Sequence, residues 1–151
     1  MPPKAKFTRE EIVAAALGIA RKNGIEALTA RILATELGSS ARPIFTVFPS
    51  MEELQKEVRE AAMKVFESYA ELAKEYTPVF KQIGIQMIMF ANKEPKLFQL
   101  LYMQEHSDSK SFDEHFKYLG ETGEICLDVL MQEYGLTRKE AEALFKQVWI
   151  F

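Results

Sequence analysis

The sequence predicts an all-α protein: an N-terminal helix-turn-helix domain of three helices, joined by a long helix to a helical body. Three observations carry this. Apolar residues recur at spacings of three and four along almost the whole chain, the period of a helix with one buried face. A Thr or Ser followed three residues later by Glu, a pair that satisfies two free backbone N–H groups at a helix start, occurs at Thr8, Ser50, Ser111 and Thr137. No stretch alternates with the two-residue period of a half-buried strand.

The first helix opens at Thr8 and buries Ile12, Ala15, Ala16, Ile19 and Ala20, with Phe7 facing Ile12 and Asn23-Gly24 closing it. Residues 1–6, with Lys4 and Lys6, read as a basic arm. A second helix starts at Thr29 and should bury Ile32, Leu33 and Leu37. Gly38 supplies the left-handed residue past its end. Ser40 is the expected cap of a third, short helix in which Ile44 and Phe48, four apart, point into the core. That leaves Ala41, Arg42, Phe45 and Thr46 on its outer side. Pro43 is tolerated in the first turn, where a missing N–H costs little, and Pro49 stops the helix.

Two helices of about two turns joined by a short Gly-containing turn describe a helix-turn-helix, whose second helix enters the DNA major groove. The stretch TARILATELGSSARPIFTVFPSMEEL, residues 29–54, also resembles the N-terminal domain of the TetR/AcrR family of transcriptional regulators. Gly38, Ser40, Phe48, Glu52 and Leu54 match that family's pattern, and Ile44 and Phe45 are near-equivalents. FTREEIVAAALGIARKNGIEALT resembles the family's first helix and the loop after it, so the specific resemblance covers about residues 7–58. It implies a homodimer bound to double-stranded DNA at a palindromic operator, a ligand cavity in the helical body, and a repressor released by its ligand. Three positions depart from the pattern. Phe45 stands where the family usually has a phosphate-binding Tyr, Val47 where it has an aromatic or His, and Met51 where it has a Lys.

The long helix after Ser50 is expected to run through Leu54, Val58, Ala61, Ala62, Val65, Tyr69 and Leu72 to about Tyr76. Thr77-Pro78 should then cap and open the next helix. This one is apolar almost all round to Asn92, which predicts a buried central helix. Glu94-Pro95 opens another through Met103. Residues 106–111 read as a polar loop, Ser111 with Glu114 caps a helix ending at Tyr134-Gly135, and Thr137 with Glu140 caps the last. The expected domains are therefore 1–49, the DNA reader, and 50–151, the regulatory and dimerisation body.

Composition sets further bounds. With 48% hydrophobic and 27% charged residues the chain reads as soluble and globular rather than disordered. At 151 residues it can bury a core without disulfides or metal. The single cysteine, Cys126, excludes an internal disulfide, and between Ile125 and Leu127 it reads as a buried structural thiol. The N-terminus lacks a secretory apolar stretch, and the apolar cluster at residues 85–91 falls short of the ~20 residues a membrane span needs. The expected location is the cytoplasm, with no membrane partner. The net charge of −3 divides unevenly: eight basic against six acidic residues through Lys56 give +2, leaving −5 for the remainder. That is the sign expected of a DNA reader on an acidic body.

For base contacts the candidates are Arg42, whose guanidinium can pair with guanine in two hydrogen bonds, and then Arg31. Ala41, Pro43 and Thr46 are candidates for thymine methyls. Thr29, Ser40 and the N–H groups near Ser50 are candidates for phosphates. For an apolar ligand the candidates are Phe80, Met87, Phe90, Phe98, Tyr102, Met103 and Phe116, soft or aromatic side chains that an ordinary core also explains. No phosphate loop, nucleophile elbow or zinc spacing is present, and His106 with His115 reads as surface rather than a metal site. Neither enzymatic activity, a cofactor nor a metal is expected.

The chain stops inside an apolar run, Gln147-Val148-Trp149-Ile150-Phe151. Three apolar residues spanning most of a turn cannot share one core stripe. The sequence therefore predicts association through Leu144, Phe145, Val148 and Trp149, and a native chain longer by about one helix.

Overall fold

Capping and turn residues set most of the boundaries in the computed structural model, which describes residues 6–103, 116–117 and 119–150, without the side chains of Met103, Trp149 and Ile150. The fold is all-helical, with no strand among the described residues. Its helices are α1 (Arg9–Asn23), α2 (Ala30–Glu36), α3 (Arg42–Val47), α4 (Met51–Leu72), α5 (Val79–Lys93), α6 (Pro95–Phe98), α7 (Glu121–Tyr134) and α8 (Arg138–Ile150). Helix α6 runs on into a wider, π-type turn over Gln99–Met103. The chain divides into two compact units, Met1–Phe66 with Met89–Gln104, and Glu67–Ile88 with Glu105–Phe151. This differs from the expected 1–49 and 50–151: the first unit keeps most of α4 and takes in α6.

In the first unit, the Thr8 side chain accepts from Glu11 N–H while the Glu11 carboxylate accepts from Thr8 N–H, the full reciprocal cap. Glu10 and Glu11 in the first turn of α1, and Arg21 and Lys22 in the last, suit the helix dipole. Gly24, at φ +89°, ends the helix in backbone geometry that a side chain would strain. Helix α1 packs on α2 and α6. Its buried Ile12, Ala16, Ile19 and Ala20 join Leu33, Ile44, Phe48, Leu97 and Leu100 in the core. Helix α4 contributes Leu54, Val58, Ala62 and Phe66, an unbroken i, i+4 stripe. Phe66 was not among the residues expected in that stripe. It meets Phe90 and Tyr102 edge-on, with ring centroids 5.3 and 5.8 Å away.

In the second unit α7 packs on α8, burying Leu127, Leu130 and Ala141. Phe116 meets Phe145 edge-on at 6.0 Å. Gly123 leaves the Phe116 ring its room: a Cβ there would lie 3.0 Å from the ring, a tight contact that the ring would have to relieve. The Thr137–Glu140 cap forms as expected, with Thr137 N–H donating to the Glu140 carboxylate at 2.8 Å.

Several expectations are corrected. Ile32 is exposed, and Ala34 takes the buried place beside Leu33. Ser40 does not cap α3; Ala41 holds that position with no side-chain bond. Helix α4 ends at Leu72, followed by a tight turn over Ala73–Glu75, and Leu72 and Tyr76 are exposed. Thr77 is not the cap of α5. That helix begins at Val79, and the Glu133 carboxylate accepts from both Val79 N–H and Phe80 N–H, the latter at 3.2 Å. Nor is α5 buried all round: Ile85, Ile88 and Met89 are exposed, and only Phe90 is sealed. The helix expected to reach Tyr134 unbroken is interrupted at Gly120, φ +52°. Its expected start at Ser111 and Glu114, and the loop before it, lie outside the described residues.

Candidate functional site

The two short helices α2 and α3 owe their geometry to Gly38. Ser39 N–H donates to Ala34 O at 2.9 Å and Gly38 N–H to Thr35 O at 3.1 Å. This paired 6→1 and 5→2 pattern closes a helix through a left-handed residue, and Gly38 sits at φ +66°. At the other end Thr29 Oγ1 accepts from Ile32 N–H at 3.2 Å. Helix α3 is only six residues long, too short to persist by itself. It is held by Ile44 and Phe48, both fully buried. Each contributes about 1.5–3 kcal/mol by leaving water.

With Ile44 and Phe48 inside, Arg42, Phe45 and Thr46 lie exposed at i, i+3 and i+4, one face of α3. On α2 the exposed residues are Arg31, Ile32, Thr35 and Glu36. The Thr35 hydroxyl donates to Arg31 O at 3.0 Å and the Thr46 hydroxyl to Arg42 O at 3.2 Å, so both hydroxyl protons are engaged within their own helices. Ala41 and Pro43 are half-buried and Thr29 and Ser40 exposed.

Four of this unit's five arginines fall into two kinds; the fifth, Arg59, is half-buried, and its Nε is buried without a hydrogen-bond partner among the described residues. Arg9 is ion-paired with Glu57, which raises its pKa, and its guanidinium lies 4.4 Å from the centre of the Phe48 ring. Arg21 is paired with Glu94. Arg31 and Arg42 make no side-chain hydrogen bond or ion pair with any described residue. Lys6 joins this surface, its ammonium donating to Ser39 Oγ in the turn at 3.3 Å. That contact links residues 33 apart and has no local sequence signal.

The expected phosphate site at the start of α4 is less favourable. Ser50 Oγ already accepts from Glu53 N–H at 3.3 Å, and Glu52 and Glu53 place negative charge in the first turn, which opposes an anion there.

The ligand candidates are divided between the two units. Phe90, Phe98, Tyr102 and Met103 belong to the first unit and Phe80, Met87 and Phe116 to the second. The Met103 side chain lies outside the described residues. A cleft does occur in the second unit, between α7 and the facing ends of α4 and α5. Glu67, Val79, Ile83, Glu121, Thr122 and Cys126 are among its lining residues, and none of the candidates is. Its volume of about 90 Å³ is well below the ~300–1,000 Å³ of sites that enclose drug-sized ligands. Burial pushes the Cys126 thiol up to about 11, leaving it protonated and unreactive near neutral pH. Of the association candidates, Phe145 is buried, Leu144 half-buried and Val148 exposed, while the side chain of Trp149 lies outside the described residues.

Among the described residues no group of three or more His, Cys, Asp or Glu could hold a metal ion; His106 and His115 lie outside them. Among the same residues no helix is long and apolar enough to cross a membrane. The chain matches no model of a known protein family and no curated protein.

Proposed function

We propose that the protein is a DNA-binding transcriptional regulator of TetR/AcrR type, with α2 and α3 as its helix-turn-helix and α3 as the helix that enters the major groove. One observation supports this reading above the rest. In a unit whose Arg9 and Arg21 are tied into ion pairs, Arg31 and Arg42 stand exposed without such partners on two short helices joined by a left-handed glycine. Exposed guanidinium groups without such partners suit phosphates and guanine edges, which they bind in two parallel hydrogen bonds. In this reading the protein acts as a homodimeric repressor. Its two copies of α3 meet successive major grooves about 34 Å apart, and a small apolar ligand in the helical body weakens that binding.

The test is fluorescence anisotropy of a labelled randomised duplex titrated with the purified protein, over a series of salt concentrations. Binding that weakens steeply with salt is expected; no binding at low salt would refute the reading. A second reading, a protein-interaction or small-molecule module with a weakened reader, draws on the exposed Phe45 and Ile32 and on Val47 and Met51. It predicts that same negative result.

A further inference from the structure

Between Phe7 and Phe66 only two large apolar side chains are exposed, Ile32 at 44% and Phe45 at 46%. Both lie on the two helices that carry Arg31 and Arg42. Water is a poor environment for a bare phenyl ring, and Phe45 has no polar atom with which to offset it. Beside it, Thr46 has turned its hydroxyl onto the carbonyl of Arg42, so the free part of that side chain is a methyl group. The outer face of α3 therefore offers one cation, two apolar groups and, in the Thr46 hydroxyl, an oxygen whose proton is already donated. In the major groove the apolar feature a base pair displays is the C5-methyl of thymine.

We propose that Phe45, with the methyl of Thr46, is a specificity-determining contact that reads thymine methyls next to a base read by Arg42. This rests on the DNA-binding reading above and names what α3 recognises. The spacing follows from helix geometry. From residue 42 to residues 45 and 46 the rise is about 4.5–6 Å, one to two base-pair steps of ~3.4 Å. The thymine should therefore lie within two base pairs of the Arg42 contact.

The experiment uses the duplex that wild-type protein selects from a randomised pool. Each thymine is replaced in turn by deoxyuridine, which removes the methyl and keeps every hydrogen-bonding group. At one or two positions per half-site the affinity should fall about three- to five-fold, the worth of one buried methyl-sized group. In Phe45→Ala the overall affinity should be lower and that methyl effect absent, while the melting temperature falls only modestly and the protein stays folded, because about half of the ring is already exposed. Phe45→Leu, which keeps apolar bulk, should retain part of the effect. If a duplex is selected but deoxyuridine is neutral everywhere, or Phe45→Ala keeps the methyl effect, the proposal is wrong and the DNA reading stands. If wild type selects no duplex, both are wrong and the patch belongs to a protein partner.

Discussion

Arg9 and Arg42 carry the same group in different company. Arg9 is fixed between Glu57 and the Phe48 ring, so its removal should be felt in stability. Arg42 is exposed, so Arg42→Ala should change stability by no more than ~0.5 kcal/mol. On the selected duplex it should cost ~1–3 kcal/mol and relax preference at one base pair per half-site. Equal weakening on unrelated duplexes would mark it as a phosphate contact instead. The acidic residues give a second test. Hydrogen bonds from Thr137 hold the Glu140 carboxylate below the ordinary range, and Arg138 does the same for Glu124. A carboxylate depressed in the folded state adds stability that is fully present above its unfolded pKa of about 4.3 and is lost as pH falls through the folded value. Glu140→Gln should therefore be less stable than wild type in urea unfolding at pH 6, with the gap closing at pH 3. An equal gap at both would remove the ionised cap from the account.

Among the elements, the turn after α2 depends on one glycine. A Cβ on Gly38 would meet nothing within 4 Å, so the cost of Gly38→Ala is that of the left-handed backbone alone, about 1–2 kcal/mol. Gly38→Asn should lose less, because Asn tolerates that conformation; calorimetric melting of the two variants decides. Helix α5 depends on a residue 54 positions away, since Glu133 occupies the N–H groups of Val79 and Phe80. Glu133→Ala should cost about 0.5–2 kcal/mol. The contrast between these two ends shows what the sequence could disclose. Thr8, Thr29, Gly38 and Thr137 act on neighbours three or four residues away, and their roles were legible. Glu133, the contact of Lys6 with Ser39, and Phe66 against Phe90 depend on long-range packing, which no local pattern encodes. Periodicity gave the phase of α3, with Ile44 and Phe48 inside, because one narrow face had to be buried. It misled for Ile32, Ile85 and Ile88, because an apolar side chain is buried only where another element arrives to cover it.

At the scale of the whole molecule, the all-helical class followed from composition and period, but the division into units did not. Helices α4 and α5 each contribute residues to both units, so no proline or polar linker marks the boundary. On the α2–α3 surface the cations open to a polyanion are Arg31, Arg42 and Lys6, since Arg9 and Arg21 are engaged elsewhere. A dimer would bring about six such groups to DNA, so log affinity should fall against log salt with a slope no steeper than about −5. A slope twice as steep would require basic residues outside this surface.

Selection of binding sites from a randomised duplex pool by the purified wild-type protein decides whether α3 reads DNA. One two-fold symmetric sequence should be enriched, with half-sites about one helical turn, or a small multiple of it, apart. Each half-site should carry a guanine with a thymine within two base pairs of it. A pool that stays random after repeated rounds at low salt would contradict it, as would an enriched site to which Arg31→Ala and Arg42→Ala bind as tightly as wild type.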